Sequence, residues 1–272
     1  MIRDITIGQY YAKESPIHKL DPRTKFIATF VYMISMFCFQ RFLGFFTCVL
    51  FLAMVIAISK IPFSHIVKGL KPIAMILIFT MCIQVFFSTG TPIVKWGVLT
   101  ITAEGIKRAI FMGMRLCLLV FGASMMTFTT TPNQLTDGIE TLFHPLNKLH
   151  IPVHEIAMMM SIALRFIPIL IEEMNKIMKA QMARGADFES GNLIKRAKSL
   201  VPILVPLFVS AFRRANELAM AMEARCYHGG EGRTKMKPLK YKKRDGIAFA
   251  VLFLYLVILI GTVKWVPMIW MI

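Results

Sequence analysis

Apolar and polar residues fall in long blocks along this chain, and the block lengths predict its elements. Residues 1–25 are a polar lead closed by Leu20-Asp21-Pro22-Arg23-Thr24-Lys25, where Asp-Pro initiates a turn and two cations stand at the foot of the next helix. Residues 26–39 are apolar, Gln40 and Arg41 interrupt, and residues 42–59 are apolar again. A bilayer core takes roughly 20 apolar residues in a helix. The second run nearly fits, and the first needs Lys25 and Arg41 to snorkel to the interfaces. Together they predict a tight transmembrane hairpin. Residues 60–71 form a short basic loop with Pro62 and Pro72 at its margins, and residues 73–87 are a third apolar run. Residues 88–104, with Gly90, Pro92 and Gly97, predict a loop. The fourth run, 109–127, carries Arg115 and the small residues Gly113, Cys117, Gly122, Ala123 and Ser124, which suit close helix packing.

Beyond residue 130 the pattern becomes amphipathic. Thr131-Pro132 supplies an N-cap and a first-turn proline for a helix reaching about residue 147. Another starts after Pro152 and continues to about residue 182; its apolar part, 156–171, contains Arg165 and Pro168 and is short for a span. Ile171, Met174, Ile177, Met178 and Met182 then share one face, while Glu172, Glu173, Lys176 and Lys179 make a solvated opposite face. Gly185 stops the helix, and 187–192 is a polar linker. A third helix spans about 193–225; Pro202 and Pro206 predict a kink, and Phe208, Ala211, Ala215, Leu218, Ala219 and Met222 form a stripe. Gly229, Gly230 and Gly232 end it. Residues 233–244 hold seven cations and no anion, and 246–263 is a clean transmembrane run with Trp265 and Trp270 as interfacial anchors.

Composition agrees with this pattern. The chain has 272 residues, is 56% hydrophobic and has a mean hydropathy of +0.62, too apolar for a soluble domain. A net charge of +17 on a soluble chain would suggest nucleic acid. Here the cations are segregated, so the expected contact is the lipid bilayer and no nucleic acid. With the N-terminus inside, segments 1–25, 60–71 and 128–244 carry 26 Lys and Arg and the outside segments carry five. The expected fold class is all-α: a polytopic membrane protein with about five transmembrane helices and a cytoplasmic α-helical domain. Its parts are a cytoplasmic lead (1–25), four transmembrane helices (26–130), the cytoplasmic helical domain (131–244) and a C-terminal transmembrane helix (245–272). In the alternative, 156–171 and 200–212 also cross as a pair, which would put Arg184 and the Lys195–Lys198 cluster outside, against the charge bias. A shallow interfacial position for these segments is favoured.

Little in the chain predicts catalysis. The five cysteines lack any Cys-x-x-Cys spacing. Gly229-Gly230-Glu231-Gly232-Arg233-Thr234-Lys235 has the wrong order for a phosphate-binding loop, and no apolar strand precedes it. His150 and His154 are separated by Pro152 and lack a third ligand. No catalytic residue, cofactor or metal site is expected. What stands out is a device used twice: Ala183-Arg184-Gly185 and Ala224-Arg225-Cys226, each ending an amphipathic helix. An arginine's planar fork suits bidentate pairing with a carboxylate on a partner.

These stretches carry a resemblance. Leu20 to Lys25, Ala157 to Phe166 with Pro168, Ala180 to Asp187, and Ala219 to Tyr227 are similar to the transmembrane T component of energy-coupling factor (ECF) transporters, the EcfT/CbiQ family. The resemblance covers nearly the whole chain. It implies a non-catalytic scaffold of an ABC-type importer for vitamins or other micronutrients in a prokaryotic plasma membrane, with 131–244 as a cytoplasmic α-helical coupling domain. Ala183, Arg184, Gly185, Ala224, Arg225 and Cys226 would be its coupling elements. Its implied partners are two ABC-type ATPase subunits, which use the ATP, and a small membrane-embedded substrate-binding S subunit. The methionine-rich helix faces would suit that S subunit. The alternative function is a membrane-integral lipid-modifying enzyme using Arg115 or Arg165 with the histidines near 144–154.

Overall fold

The computed structural model describes residues 10–39, 42–88, 92–96, 99–188, 192–230, 236 and 238–265. Two compact units divide the chain: residues 1–138 with 239–272, and residues 139–238.

The first unit holds α1 (Pro22–Ser35), α2 (Phe42–Ser59), α3 (Phe63–Leu70), α4 (Ala74–Phe87), a two-stranded antiparallel ribbon of β1 (Pro92–Trp96) and β2 (Leu99–Thr102), α5 (Ala103–Thr129) and α9 (Lys243–Trp265). α6 (Pro132–Phe143) leads out of it. Among the described residues, α2, α5, α7 (Val153–Ala183) and α9 are long and apolar enough to cross a membrane. α3 and α4 meet at 62° and make a fifth if taken as one broken span.

Four local expectations change. The Asp21-Pro22 pair is a helix start and not a turn: Asp21 is the N-cap, accepts from the Arg23 amide at 2.9 Å, and Pro22 is the first helical residue. The first helix therefore begins four residues early and ends at Ser35. The basic loop 60–71 contains α3, an eight-residue helix that buries Ile66 and exposes Phe63 and Val67. The loop 88–104 contains the ribbon, whose β-branched and aromatic residues pair as Val94 with Ile101 and Trp96 with Leu99. Lys25 does not snorkel: it is buried and donates from Nζ to the carbonyls of His18 (3.0 Å) and Thr129 (2.7 Å). Arg41, its expected counterpart, lies outside the described residues, as does Trp270; Trp265 closes α9.

The core of the first unit is built around α5, which packs on α1, α2, α3 and α4. Its small residues act where helices approach closely. A side chain at Gly122 would strike the Tyr32 ring of α1, and one at Gly113 would strike Met81 of α4. Arg115 has an internal partner, donating from Nη2 to the Phe39 carbonyl at 2.8 Å, with the rings of Phe37 and Phe45 within 6 Å of its guanidinium. It thereby pairs with a backbone carbonyl in the connection that follows α1, which makes a charge inside an apolar run tolerable. Tyr255 of α9 reaches Ser35 Oγ and Cys48 Sγ through its hydroxyl and stacks on Phe51, joining α9 to α1 and α2.

At one end of this unit a polar cluster replaces apolar packing. Asp245, in the first turn of α9, accepts from the Asp21 amide (2.8 Å), Thr24 Oγ1 (3.2 Å) and the Lys242 amide (2.8 Å). The Arg23 guanidinium folds back on Asp21 through two bonds and lies 4.0 Å over the Tyr241 ring. Burial opposes the charge on Asp21, but the bonds from Arg23 outweigh it and hold the carboxyl below its usual range.

The second unit contains the end of α6, a 3-10 helix (His144–Leu149), α7 and α8 (Leu193–Glu223). α6 starts as the sequence predicts: Thr131 and Gln134 exchange side chain-to-backbone bonds, a capping box, with Pro132 first. It stops at Phe143, earlier than the periodicity suggests, and tightens into the 3-10 segment that His150 ends in a left-handed conformation. α7 runs unbroken through Pro168 for 31 residues, so a helix with a short apolar core still satisfies the length and apolarity of a span. α8 likewise continues through Pro202 and Pro206.

Candidate docking site at two helix ends

The two arginine tripeptides form the same cap. In α7, the Ala186 amide donates to the Gln181 carbonyl and the Gly185 amide to the Met182 carbonyl, both at 3.0 Å. In α8, the Tyr227 amide donates to the Met222 carbonyl at 3.1 Å and the Cys226 amide to the Glu223 carbonyl at 2.9 Å. Both are Schellman motifs, with the six-residue bond enclosing a tighter one. Position by position, Ala183 matches Ala224 on the last turn, Arg184 matches Arg225 at the cap, and Gly185 matches Cys226 in the left-handed conformation that closes it (φ +87° and +52°). All six residues are exposed.

The cap does two things for the arginine. It satisfies carbonyls that a helix end leaves open, so the backbone carrying the arginine is fixed. It also sets a cation at the negative end of the helix dipole, a favourable place. Among the described residues neither guanidinium makes an ion pair. Both forks are thus exposed at a capped helix end.

The two helices pack on each other, and a polar contact among the described residues joins them. Glu173 accepts from Ser210 Oγ at 2.6 Å and from Arg214 Nη2 at 2.9 Å. The solvated face expected for Glu173 is corrected here: its side chain is 27% exposed and bridges α7 to α8. Sequence spacing within one helix cannot show a bond to another.

Outside this contact α8 displays a broad apolar face. Val205, Phe208, Val209 and Phe212, with Arg213 and Asn216, are exposed along one face of α8. On α7, Ile156, Met159, Met160 and Ile167 are exposed. The methionines divide: Met159, Met160, Met182 and Met220 are exposed, whereas Met174, Met178 and Met222 are half-buried.

The groups suggested for lipid chemistry have other engagements. Arg115 is bound to Phe39, His154 Nδ1 pairs with Glu140 at 2.9 Å, and Arg165 is exposed. Gly230 lies so close to the His154 ring that a side chain there would collide with it. Among the described residues no three metal-ligating side chains converge.

Comparison with known proteins places this architecture. The profile of the family described as "CbiQ: Cobalt transport protein" matches residues 13–236. The energy-coupling factor transporter transmembrane protein EcfT of Ruminiclostridium cellulolyticum is 55% identical over 256 residues, covering 94% of this chain and 96% of that one. EcfT of Clostridium kluyveri is 53% identical over 97% of this chain and 99% of its own, and EcfT of Bacillus subtilis 47% identical over 90% and 93%. The fold is thus that of a multi-pass membrane transport component. The chain belongs to the CbiQ family, among the transmembrane T components of ECF transporters, and so works in a complex with other subunits.

Proposed function

We propose that this chain is the scaffold that couples ATP hydrolysis on two ABC-type ATPase subunits to movement of a substrate-binding membrane subunit, in an importer for vitamins or other micronutrients. Its N-terminus and residues 139–238 face the cytoplasm. Arg184 and Arg225 each enter an acidic or carbonyl-rich pocket on one ATPase. The observation that carries the reading is the identity of the two caps: one arginine, one cap geometry and one exposed setting, used twice, fit two similar receiving sites. The apolar faces of α7 and α8 are the surface offered to the substrate-binding subunit. The chain itself performs no catalysis and holds no cofactor.

Charge reversal tests this. Breaking one partner of a buried charged contact costs roughly 2–5 kcal/mol. A second docking point still holds the complex by effective concentration. Arg184→Glu or Arg225→Glu alone is expected to weaken ATPase binding or to separate hydrolysis from uptake. The double variant is expected to insert in the membrane and lose the ATPases on purification. A double variant that copurifies with them and transports normally would overturn the reading.

A further inference from the structure

The contact between Glu173, Ser210 and Arg214 gains meaning from its position. Glu173 precedes Arg184 by eleven residues, and Arg214 precedes Arg225 by eleven. Eleven residues are about three helical turns and about 16 Å. Each residue of the ion pair therefore lies on nearly the same helical face as the docking arginine of its own helix, at the same reach.

Aligning the two helices on their arginines extends the correspondence. Asn175 falls on Asn216 and Ala180 on Ala221, while Glu172-Glu173 falls on Arg213-Arg214 and Lys176 on Glu217. The charged positions 172, 173 and 176 meet opposite charges, while elsewhere the pattern is mixed, Lys179 falling on Met220 and Met182 on Glu223. Two arms of one pattern with reversed charges attract at equivalent positions, and the structure shows one such pair closed, Glu173 to Arg214 at 2.9 Å.

An isolated ion pair on a surface contributes little. This one differs in its surroundings. Both Glu173 oxygens are used, so one carboxylate of α7 is held by two donors from α8. We propose that Glu173, Ser210 and Arg214 form a positioning clasp. It pins the two arms at equivalent points and so sets the separation of the two arginine ends. The proposal rests on the reading of Arg184 and Arg225 as docking elements. The clasp touches neither ATPase nor substrate; it acts through the arms.

The test uses the full complex in lipid nanodiscs and vesicles. Spin labels go on Lys179 and Met220, exposed and equivalent positions on the two arms, in a chain freed of native cysteines. The unaltered clasp should give one narrow distance distribution. Glu173→Arg, which sets like charges at the clasp, should broaden it, and substrate moved per ATP hydrolysed should fall about fivefold or more. Glu173→Arg combined with Arg214→Glu should restore both, which a merely damaged fold would not do. Glu173→Gln, which keeps the Ser210 bond without the charge, replaces the single reversal if that fails to insert, and must broaden the distribution. Failure of the docking reading shows separately, as ATPases retained by the double arginine variant. The clasp is overturned if the distribution stays narrow, if the transport ratio holds while the distribution broadens, or if the swapped pair is as impaired as the single reversal.

Discussion

Gly185 and Cys226 hold the same place in the two caps but meet its left-handed backbone at different cost. A left-handed conformation costs a residue with a Cβ roughly 1–2 kcal/mol, and glycine escapes it. No atom lies near the missing Cβ of Gly185, so an alanine there meets only the backbone cost. Gly185→Ala should therefore loosen the α7 cap, speeding hydrogen exchange of the Ala186 amide about 5–30-fold. Cys226→Gly should tighten the α8 cap and slow exchange at Tyr227, by less because glycine also gains freedom in the open state. Mass-spectrometric exchange on the membrane-embedded protein reads both. Shifts of the same sign would show that the two caps are not equivalent. The arginines themselves were legible as a repeated tripeptide. That their two backbones match was not, because Cys226 lacks the glycine that marks such caps in sequence.

Among the elements, α1 depends most on contacts remote in sequence. Its start is held by Asp245 of α9 and by the bond from Lys25 to the end of α5, while the preceding strap ties in through the Tyr11 amide and the Phe128 carbonyl at 3.0 Å. In that strap His18 is buried and fully paired as a neutral ring: Ser15 Oγ donates to Nδ1 at 2.7 Å and Nε2 donates to the Tyr11 carbonyl at 3.1 Å. Burial, with the charge of nearby Lys25 second, pushes its pKa below 6.5 despite the bonds to carbonyls. A base with a depressed folded pKa lends its full stability above the unfolded value and loses it as pH falls from about 6.5 toward the folded value. The unfolding midpoint should thus drop between pH 7 and pH 5, and His18→Asn should flatten that slope while lowering the plateau. An unchanged slope would remove His18 from the account. Helices with long apolar runs were legible from periodicity. α3 and the ribbon were not, because proline and glycine punctuate runs too short for a period to register. The Asp21 to Asp245 connection was invisible for another reason: it joins residues at opposite ends of the chain.

For the whole molecule the deciding question is which side of the membrane Arg184 and Arg225 face. α7 is long and apolar enough to span, and among the described residues α8 is not, so length supports only one of the two extra crossings of the seven-span arrangement. Against that one stand the ionisable side chains of α7, among them Arg165, Glu172, Glu173 and Lys176, and the cost of charge in hydrocarbon. The short segments 1–25 and 60–71 carry five and three cations, and these short stretches set orientation more strictly than long domains do. If α7 and the middle of α8 both crossed, Arg184 would lie outside while Arg225 stayed inside, and the proposed docking of both on one pair of ATPases would be impossible. Two chemically simple probes separate these cases. Cys226 is native and exposed, and Asp187, three residues beyond Arg184, is exposed and replaceable by cysteine. In otherwise cysteine-free chains, an impermeant maleimide applied to intact cells should label neither position, and both should label in inside-out vesicles. Labelling of the Asp187→Cys chain from outside, with Cys226 still protected, would establish the extra crossings and end the two-armed docking scheme.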